Sequence, residues 1–341
     1  MHPLFVGLDV GSRSCHQVVL AADGSTLSHR QFPTGEAHLI SAFKELRGHV
    51  HVHLEAGELA PWVRSVIAPH AARVVVGHPR SNAWIAKDPN KCDRVDAYKL
   101  AELLRLNRTH EVYYPDDRSR AAFKQLVQHY DDLTRQQAGL RTKIKARLRA
   151  QGVITRGQRI FTREGREQIL SRVGRPEIRQ AICQLYEVLE QARRSQHDAL
   201  RLMTTASKQF PEIARFSRVP GVGVIGACRF SAYVQTPHRF SSKRKLWRYC
   251  RLGVVKRSSD GKSLSHPRLD PSGCGRLKDF SRKAFEAALR RRDANGFKRA
   301  YERALEQTHN AVHARLSVQR KIVATLRAMW INGTPYRDES G

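Results

Sequence analysis

Over the first third of the chain apolar residues alternate or gather in short runs, and over most of the remainder they recur at helical spacing. Residues 3–10, Pro-Leu-Phe-Val-Gly-Leu-Asp-Val, are a near-continuous apolar run closed by Gly11-Ser12, the pattern of a buried strand. Residues 15–22 give a second strand, Asp23-Gly24 a hairpin turn, and residues 26–32 a third strand. Helical spacing runs from Glu36 to Arg47 through Leu39, Ile40, Phe43 and Leu46. A strand at 50–55, a helix opening near Pro61-Trp62 and a strand at 73–77 follow.

Three antiparallel strands followed by alternating helix and strand describe an α/β sheet of the ribonuclease H-like kind, expected over residues 1–115. Residues 81–92 read as a loop, after which Asp93 opens a helix with an apolar stripe at Val95, Leu100, Leu103 and Leu104. From Asp116 to Ala150 Gly and Pro are almost absent, and residues 182–203 form a second long helical stretch. Residues 116–210 are therefore expected to form an antiparallel coiled coil, joined through the basic segment Arg156 to Arg166. A mainly α region, 211–335, begins with Val219-Pro220-Gly221-Val222-Gly223. This pentapeptide has the form of a helix-hairpin-helix turn, in which Gly221 and Gly223 let backbone N–H groups approach a phosphate; a plain tight turn accounts for it equally.

Charge sharpens this division. The 341 residues carry a net charge of +30, yet residues 1–117 hold 13 Lys+Arg and 13 Asp+Glu, so the whole excess lies in residues 118–341. So one-sided an excess is the footprint of a surface that neutralises phosphates. The candidate contacts are Arg141, Lys143, Lys145, Arg147 and Arg149 on the first long helix, and Lys243, Arg244, Lys245, Arg257 and Lys262 further on. Residues 239–299 hold 19 Lys+Arg against 5 Asp+Glu, with Trp247, Tyr249, Phe280 and Phe285 interspersed; each aromatic also reads as core. The six cysteines are far apart and form no CxxC pair, which excludes a zinc knuckle and fits reduced thiols. No apolar run is long enough to span a membrane and no secretory signal is evident, so a cytoplasmic location is expected.

The candidate chemistry lies in the neutral third. Asp9 ends the first strand and Glu55 the fourth, each followed by a glycine, and Asp93 and Asp96 project from one face of a helix start. Individually they also read as a turn residue, an edge carboxylate, an N-cap and a first-turn partner of the helix dipole. Together, four mutually repelling carboxylates are best explained by a hard divalent cation, with Mg²⁺, one ion or two, suited to phosphoryl transfer. The Gly-Leu-Asp-Val-Gly-Ser run also resembles the first phosphate motif of actin-like ATPases and sugar kinases, but their later Asp-Gly and adenosine motifs are missing.

The order Gly7-Leu8-Asp9-Val10-Gly11, Leu54-Glu55-Ala56-Gly57 and Asp93-Arg94-Val95-Asp96-Ala97 resembles the DEDD transposases of bacterial insertion sequences. Val219-Pro220-Gly221-Val222-Gly223 and Leu246 to Gly253 match the start of that family's C-terminal domain. The resemblance implies a RuvC-like domain with Asp9, Glu55, Asp93 and Asp96 as metal ligands, a coiled coil, and a C-terminal domain whose serine attacks DNA. The matching segment, Arg257-Ser258-Ser259-Asp260-Gly261-Lys262, points to Ser259 as nucleophile, with Ser258 beside it. Asp260 interrupts the family's Ser-Ser-Gly, and the acidic residue usual in the helix after Pro-Gly-x-Gly is missing from 226–234. The resemblance also implies a structured guide RNA encoded by the element, and a homo-oligomer, dimer or tetramer, paired through the coiled coil. Two other readings stay open: a RuvC-like junction nuclease without serine chemistry, and a non-catalytic nucleic-acid-binding derivative.

Overall fold

The computed structural model describes residues 2–79, 92–115, 118–255 and 267–338, together with the backbone of 258–259 and 262–263. The chain separates into two compact units, Met1–Asp116 and Asp117–Gly341.

The first unit is a mixed five-stranded sheet with helices on both faces, compatible with a ribonuclease H-like fold. Its elements are β1 (Pro3–Val10), β2 (Ser14–Leu20), β3 (Thr26–Pro33), α1 (Glu36–Lys44), β4 (His49–Glu55), α2 (Ala60–Ile67), β5 (Arg73–Gly77) and α3 (Asp93–Arg105). The strand order is β3-β2-β1-β4-β5; β2 is antiparallel to β1 and β3, and β4 is parallel to β1 and β5. Strand side chains alternate between faces. Leu4, Val6 and Leu8 of β1 therefore pack with Val52 and Leu54 of β4 against Leu39 and Phe43 of α1 and Val63 and Ile67 of α2. On the opposite face Val18 and Leu20 of β2 meet Ala97 and Ala101 of α3. Gly7 makes that second layer tight, because a Cβ there would overlap Ala97 O and stand 2.5 Å from Ala101 N.

The second unit is mostly helical. It contains α4 (Arg118–Ala150), α5 (Arg163–Leu170), α6 (Pro176–Ser207), α7 (Pro211–Phe216), α8 (Gly223–Val234), α9 (Lys243–Tyr249), α10 (Gly275–Arg290), α11 (Gly296–Thr308) and α12 (Ala311–Asn332). Between α9 and α10 lie four two-residue strands, β6 (Val254–Val255), β7 (Ser258–Ser259), β8 (Lys262–Ser263) and β9 (Arg268–Leu269). β6 pairs with β9 and β7 with β8, both antiparallel.

Helices α4 and α6 lie side by side and antiparallel: Gln196 Nε2 donates to Thr134 Oγ1 at 2.7 Å, while Gln137 Nε2 donates to Ala192 O at 3.2 Å and Gln196 Oε1 at 2.8 Å. This polar layer divides two cores strung along one helix pair. Towards the tip, Leu140, Ile144 and Leu148 pack with Phe161, Leu170, Ile182 and Tyr186. Towards the base, Phe123 and Val127 pack with Met203 and with the helices from α7 to α12. Two details differ from the sequence expectation. α6 begins at Pro176 rather than 182, with proline at its first turn, where a missing N–H costs nothing. The joining segment holds α5, capped by Thr162 Oγ1 accepting from Gly165 N at 3.2 Å. Phe280 and Phe285 are buried, and Trp247 and Tyr249 are partly buried against the same core.

Candidate active site

Strand register assembles the acidic residues of the first unit. β1 and β4 are parallel with Leu8 opposite Leu54, so Asp9 and Glu55, one residue further on, stand at the same level on the C-terminal edge of the sheet. Antiparallel pairing sets His16 of β2 opposite Asp9. By alternation Gly7, Asp9, His16, His53 and Glu55 share the face covered by α3.

Helix α3 delivers the other two carboxylates. Cys92 occupies its N-cap position without a side-chain cap, so Asp93 is the first helical residue rather than the cap. Asp93 Oδ2 lies 3.3 Å from His16 Nε2. Asp96 Oδ1 is buried with no hydrogen-bond partner among the described residues. Two anchors fix the helix on the sheet. One is the close approach at Gly7; the other is His53, whose Nδ1 meets Leu100 O at 2.8 Å. A carbonyl only accepts, so Nδ1 carries a proton. Burial, which disfavours the imidazolium, lowers the His53 pKa against the opposing effect of that hydrogen bond.

Asp9 senses the other three carboxylates. Burial holds the Asp9 carboxyl above the usual range, and the charges of Asp93 and then Asp96 push it the same way; His16 opposes them, and Glu55 adds the least. A half-buried carboxylate with three others near it and an unpartnered buried carboxylate oxygen alongside is a concentration of negative charge. An all-oxygen donor set of this kind suits a hard divalent ion. Among the described residues no three His, Cys, Asp or Glu side chains stand close enough to hold an ion as they are placed, so the four carboxylates are neighbours short of a closed ligand shell. A cleft of about 750 Å³ opens beside Asp9 and Glu55, bordered by Ser12, Thr34, Gly57 and Trp62.

The remaining expected residues lie in the second unit. Lys143 and Arg147 of α4 are exposed, as is Arg149, whose Nε donates to Lys145 O at 3.2 Å. Arg141 and Lys145 lie over the Phe161 ring at 5.5 and 5.7 Å. Lys243, Arg244 and Lys245 are exposed on the first turn of α9, after its cap Ser242. Gly221, in the turn between α7 and α8, and Gly223, at the first position of α8, have φ of +83° and +59°. A Cβ on Gly221 would collide with α10, 2.7 Å from Ala288 N, whereas one on Gly223 would meet nothing within 4 Å. Close packing thus explains Gly221, and Gly223 alone faces open space. The backbones of Ser258, Ser259 and Lys262 form the β7–β8 pair; their side chains, and Arg257 and Asp260 entirely, lie outside the described residues.

Sequence reasoning missed His16 and His53. A strand reading His-Val-His-Val-His-Leu-Glu buries its third histidine among valines, and an inward polar residue in a strand interior was the available signal.

Comparison with known families agrees with this architecture. Residues 6–151 match a model of DEDD type described as a transposase, which makes this an enzyme acting on DNA. Residues 213–302 match the model described as transposase, IS116/IS110/IS902 family. The chain therefore belongs to the IS110 family of transposases. No curated protein matches it. Among the described residues no helix is long and apolar enough to cross a membrane.

Proposed function

We propose that this transposase cuts and rejoins DNA of an insertion sequence, with Asp9, Glu55, Asp93 and Asp96 holding one or two Mg²⁺ ions and Ser259 attacking a phosphodiester. The observation that carries this reading is the gathering of four carboxylates from β1, β4 and α3 on one face of the sheet edge, one of them with a buried unpartnered oxygen. A divalent ion, if held by Asp9, Glu55, Asp93 and Asp96, would supply positive charge to offset that of the phosphodiester. His16 and His53 act as positioning residues, the first against Asp93 and the second by locking α3 to β4.

In the serine step the Ser259 hydroxyl oxygen bonds to phosphorus, the bond from phosphorus to a deoxyribose oxygen breaks, and a phosphoserine link to one DNA end forms. The hydroxyl proton passes to water or a carboxylate, and the departing sugar oxygen takes up a proton. Arg257 and Lys262 flank the serine in sequence and would offset phosphate charge. Ser258 is the neighbouring candidate. A hydroxyl of a second DNA strand, attacking the phosphoserine, frees the enzyme and rejoins DNA.

In this proposal residues 1–115 are the RuvC-like domain, 116–210 a coiled-coil region that pairs subunits into a dimer or tetramer, and 211–335 the domain that presents the serine. Exposed Lys143, Arg147 and Arg149 grip nucleic acid, including a structured guide RNA, as do Lys243, Arg244 and Lys245. Three cations on the first turn of a helix oppose its dipole, so they weaken the fold locally and favour an anionic partner. The turn at Gly223 offers backbone N–H groups to a phosphate in the manner of a helix-hairpin-helix.

The test is cleavage of an element end by the full-length protein with its RNA and Mg²⁺, followed on denaturing gels for a protease-sensitive protein–DNA adduct. Asp9→Asn is expected to abolish cleavage while DNA binding persists. Ser259→Ala is expected to abolish the adduct. Complete cleavage by both Ser259→Ala and the Ser258→Ala/Ser259→Ala double variant, with no adduct, would sink the serine mechanism in favour of a water-using nuclease.

A further inference from the structure

Beneath the β6–β9 pair the second unit contains a groove of about 670 Å³, bounded by that pair, by α10 and by α12. Six cationic side chains line it, Arg251, Arg268, Lys278, Arg282, Arg315 and Arg320, against a single acidic one, Asp279. Some of these have structural duties. Arg320 donates from Nε and Nη2 to Leu252 O at 2.8 and 2.6 Å, Arg251 Nε donates to Gly273 O at 3.0 Å, and Arg282 spans Asp279 and Glu286. Among the described residues no carboxylate pairs with Arg268, Lys278 or Arg315, each on a different wall. Uncompensated like charges facing one groove repel one another and are relieved by an anion. Val254 and Val312, 48% and 59% exposed, add apolar surface beside them. Alternating cationic and apolar surface matches phosphates and sugars along a strand, whereas a small inorganic anion has no use for the apolar part.

We propose that this groove seats the DNA strand beside the phosphate attacked by serine, with Arg268, Lys278 and Arg315 each neutralising one phosphate. Chain order selects DNA as the occupant: β6 and β9 pair directly with one another and flank Ser258-Ser259 in sequence, so a strand seated beneath that pair is the one next to the segment that carries the hydroxyl. The inference rests on the serine reading above and adds a register to it, since the groove fixes which phosphate comes opposite the hydroxyl.

The experiment measures binding of a single-stranded element end to the full-length Ser259→Ala protein across a salt series, with and without Arg268→Gln/Lys278→Gln/Arg315→Gln. Each phosphate contact contributes about 0.7–0.9 to the slope of log affinity against log salt. The triple variant is therefore expected to lose roughly 2–3 from that slope, so that its affinity falls about 20- to 40-fold less between 50 and 200 mM salt. Arg268→Lys/Arg315→Lys, which keeps the charge, is expected to retain the parental slope and shows that the effect is not unfolding. An unchanged slope in the triple variant overturns the proposal, as does a slope change seen with the guide RNA but not with DNA. Failure of the serine reading is a separate result, cleavage without an adduct in the Ser259 and Ser258 variants, and leaves the slopes as they were.

Discussion

Replacing Gly7 by alanine tests whether the close approach of α3 to β1 holds the carboxylates together. A methyl group at this position would overlap Ala97 O and lie 2.5 Å from Ala101 N and 3.0 Å from Ala97 C, all backbone atoms. Comfortable separations are about 3.5–4.0 Å, so the helix must retreat by more than about 1 Å. Overpacking of this kind costs about 1–3 kcal/mol, and the rigid obstacle places Gly7→Ala near the upper figure. For a unit of this size that lowers the melting temperature by about 10 °C. Asp93 and Asp96 ride on the displaced helix, one turn or less from Ala97, and a misplacement of about 1 Å at a reacting centre costs up to about 100-fold in rate. Thermal unfolding followed by circular dichroism, together with Mg²⁺-dependent cleavage, reads both effects. Gly57→Ala is the control, because a Cβ there meets nothing within 4 Å, and its melting temperature is expected to match the parent. If Gly7→Ala melted within 2 °C of the parent and cleaved at the parental rate, the packing argument would be refuted.

Other outcomes follow from the second unit. Buried Asp131 accepts from Arg229 Nε at 2.7 Å and Tyr233 Oη at 2.9 Å, so Asp131→Ala is expected to cost about 3 kcal/mol in urea unfolding by leaving a partly buried arginine and a buried tyrosine hydroxyl without their acceptor. Hydrogen bonds from Ser272 and then Arg248 lower the Asp270 carboxyl to about 2. Because its folded pKa is depressed, its stabilisation, about 2 kcal/mol, is full above pH 4 and is lost as pH falls towards 2. Asp270→Asn should therefore be less stable than the parent at pH 7 and indistinguishable from it near pH 2 in acid titrations of unfolding. His309 closes α11 in the left-handed region, at φ 49° and ψ 24°, so His309→Gly is expected to gain about 1 kcal/mol in the same urea assay.

Most strands of the first unit were legible because they are short apolar or alternating runs bounded by turn residues, and the positions of Asp9 and Glu55 followed from where two of those runs stop. What periodicity alone does not carry is which neighbour a face meets. Gly7 reads as one letter of a Gly-Leu-Asp-Val run, and only the arrival of α3 shows why a side chain there is excluded. His16 gains a role because antiparallel pairing sets it opposite Asp9, a register fixed by the hairpin as a whole. Helix α5 was hidden because its first turn contains Gly165 and charged residues, and its cap, Thr162, acts in a segment with little apolar pattern. The long helices were plain from the scarcity of Gly and Pro. Their division into two cores was not, since Thr134, Gln137 and Gln196 acquire meaning only when paired across the helices.

That polar layer turns the helix pair into a ruler. Amides bonded across the seam resist sliding, because a shift by one turn would strand each of them among apolar neighbours. At 1.5 Å per residue the 33-residue α4 is about 50 Å long, the length of roughly 15 base-pair steps. The start of α10, which borders the cationic groove, meets α4 at Asp132, so in the proposed function the groove and the exposed cations at the tip would touch nucleic acid about 25 Å apart along the helix, at a spacing set by protein. Lengthening α4 and α6 together by two turns should move the outer edge of a protection footprint by about three base pairs and leave the inner edge in place.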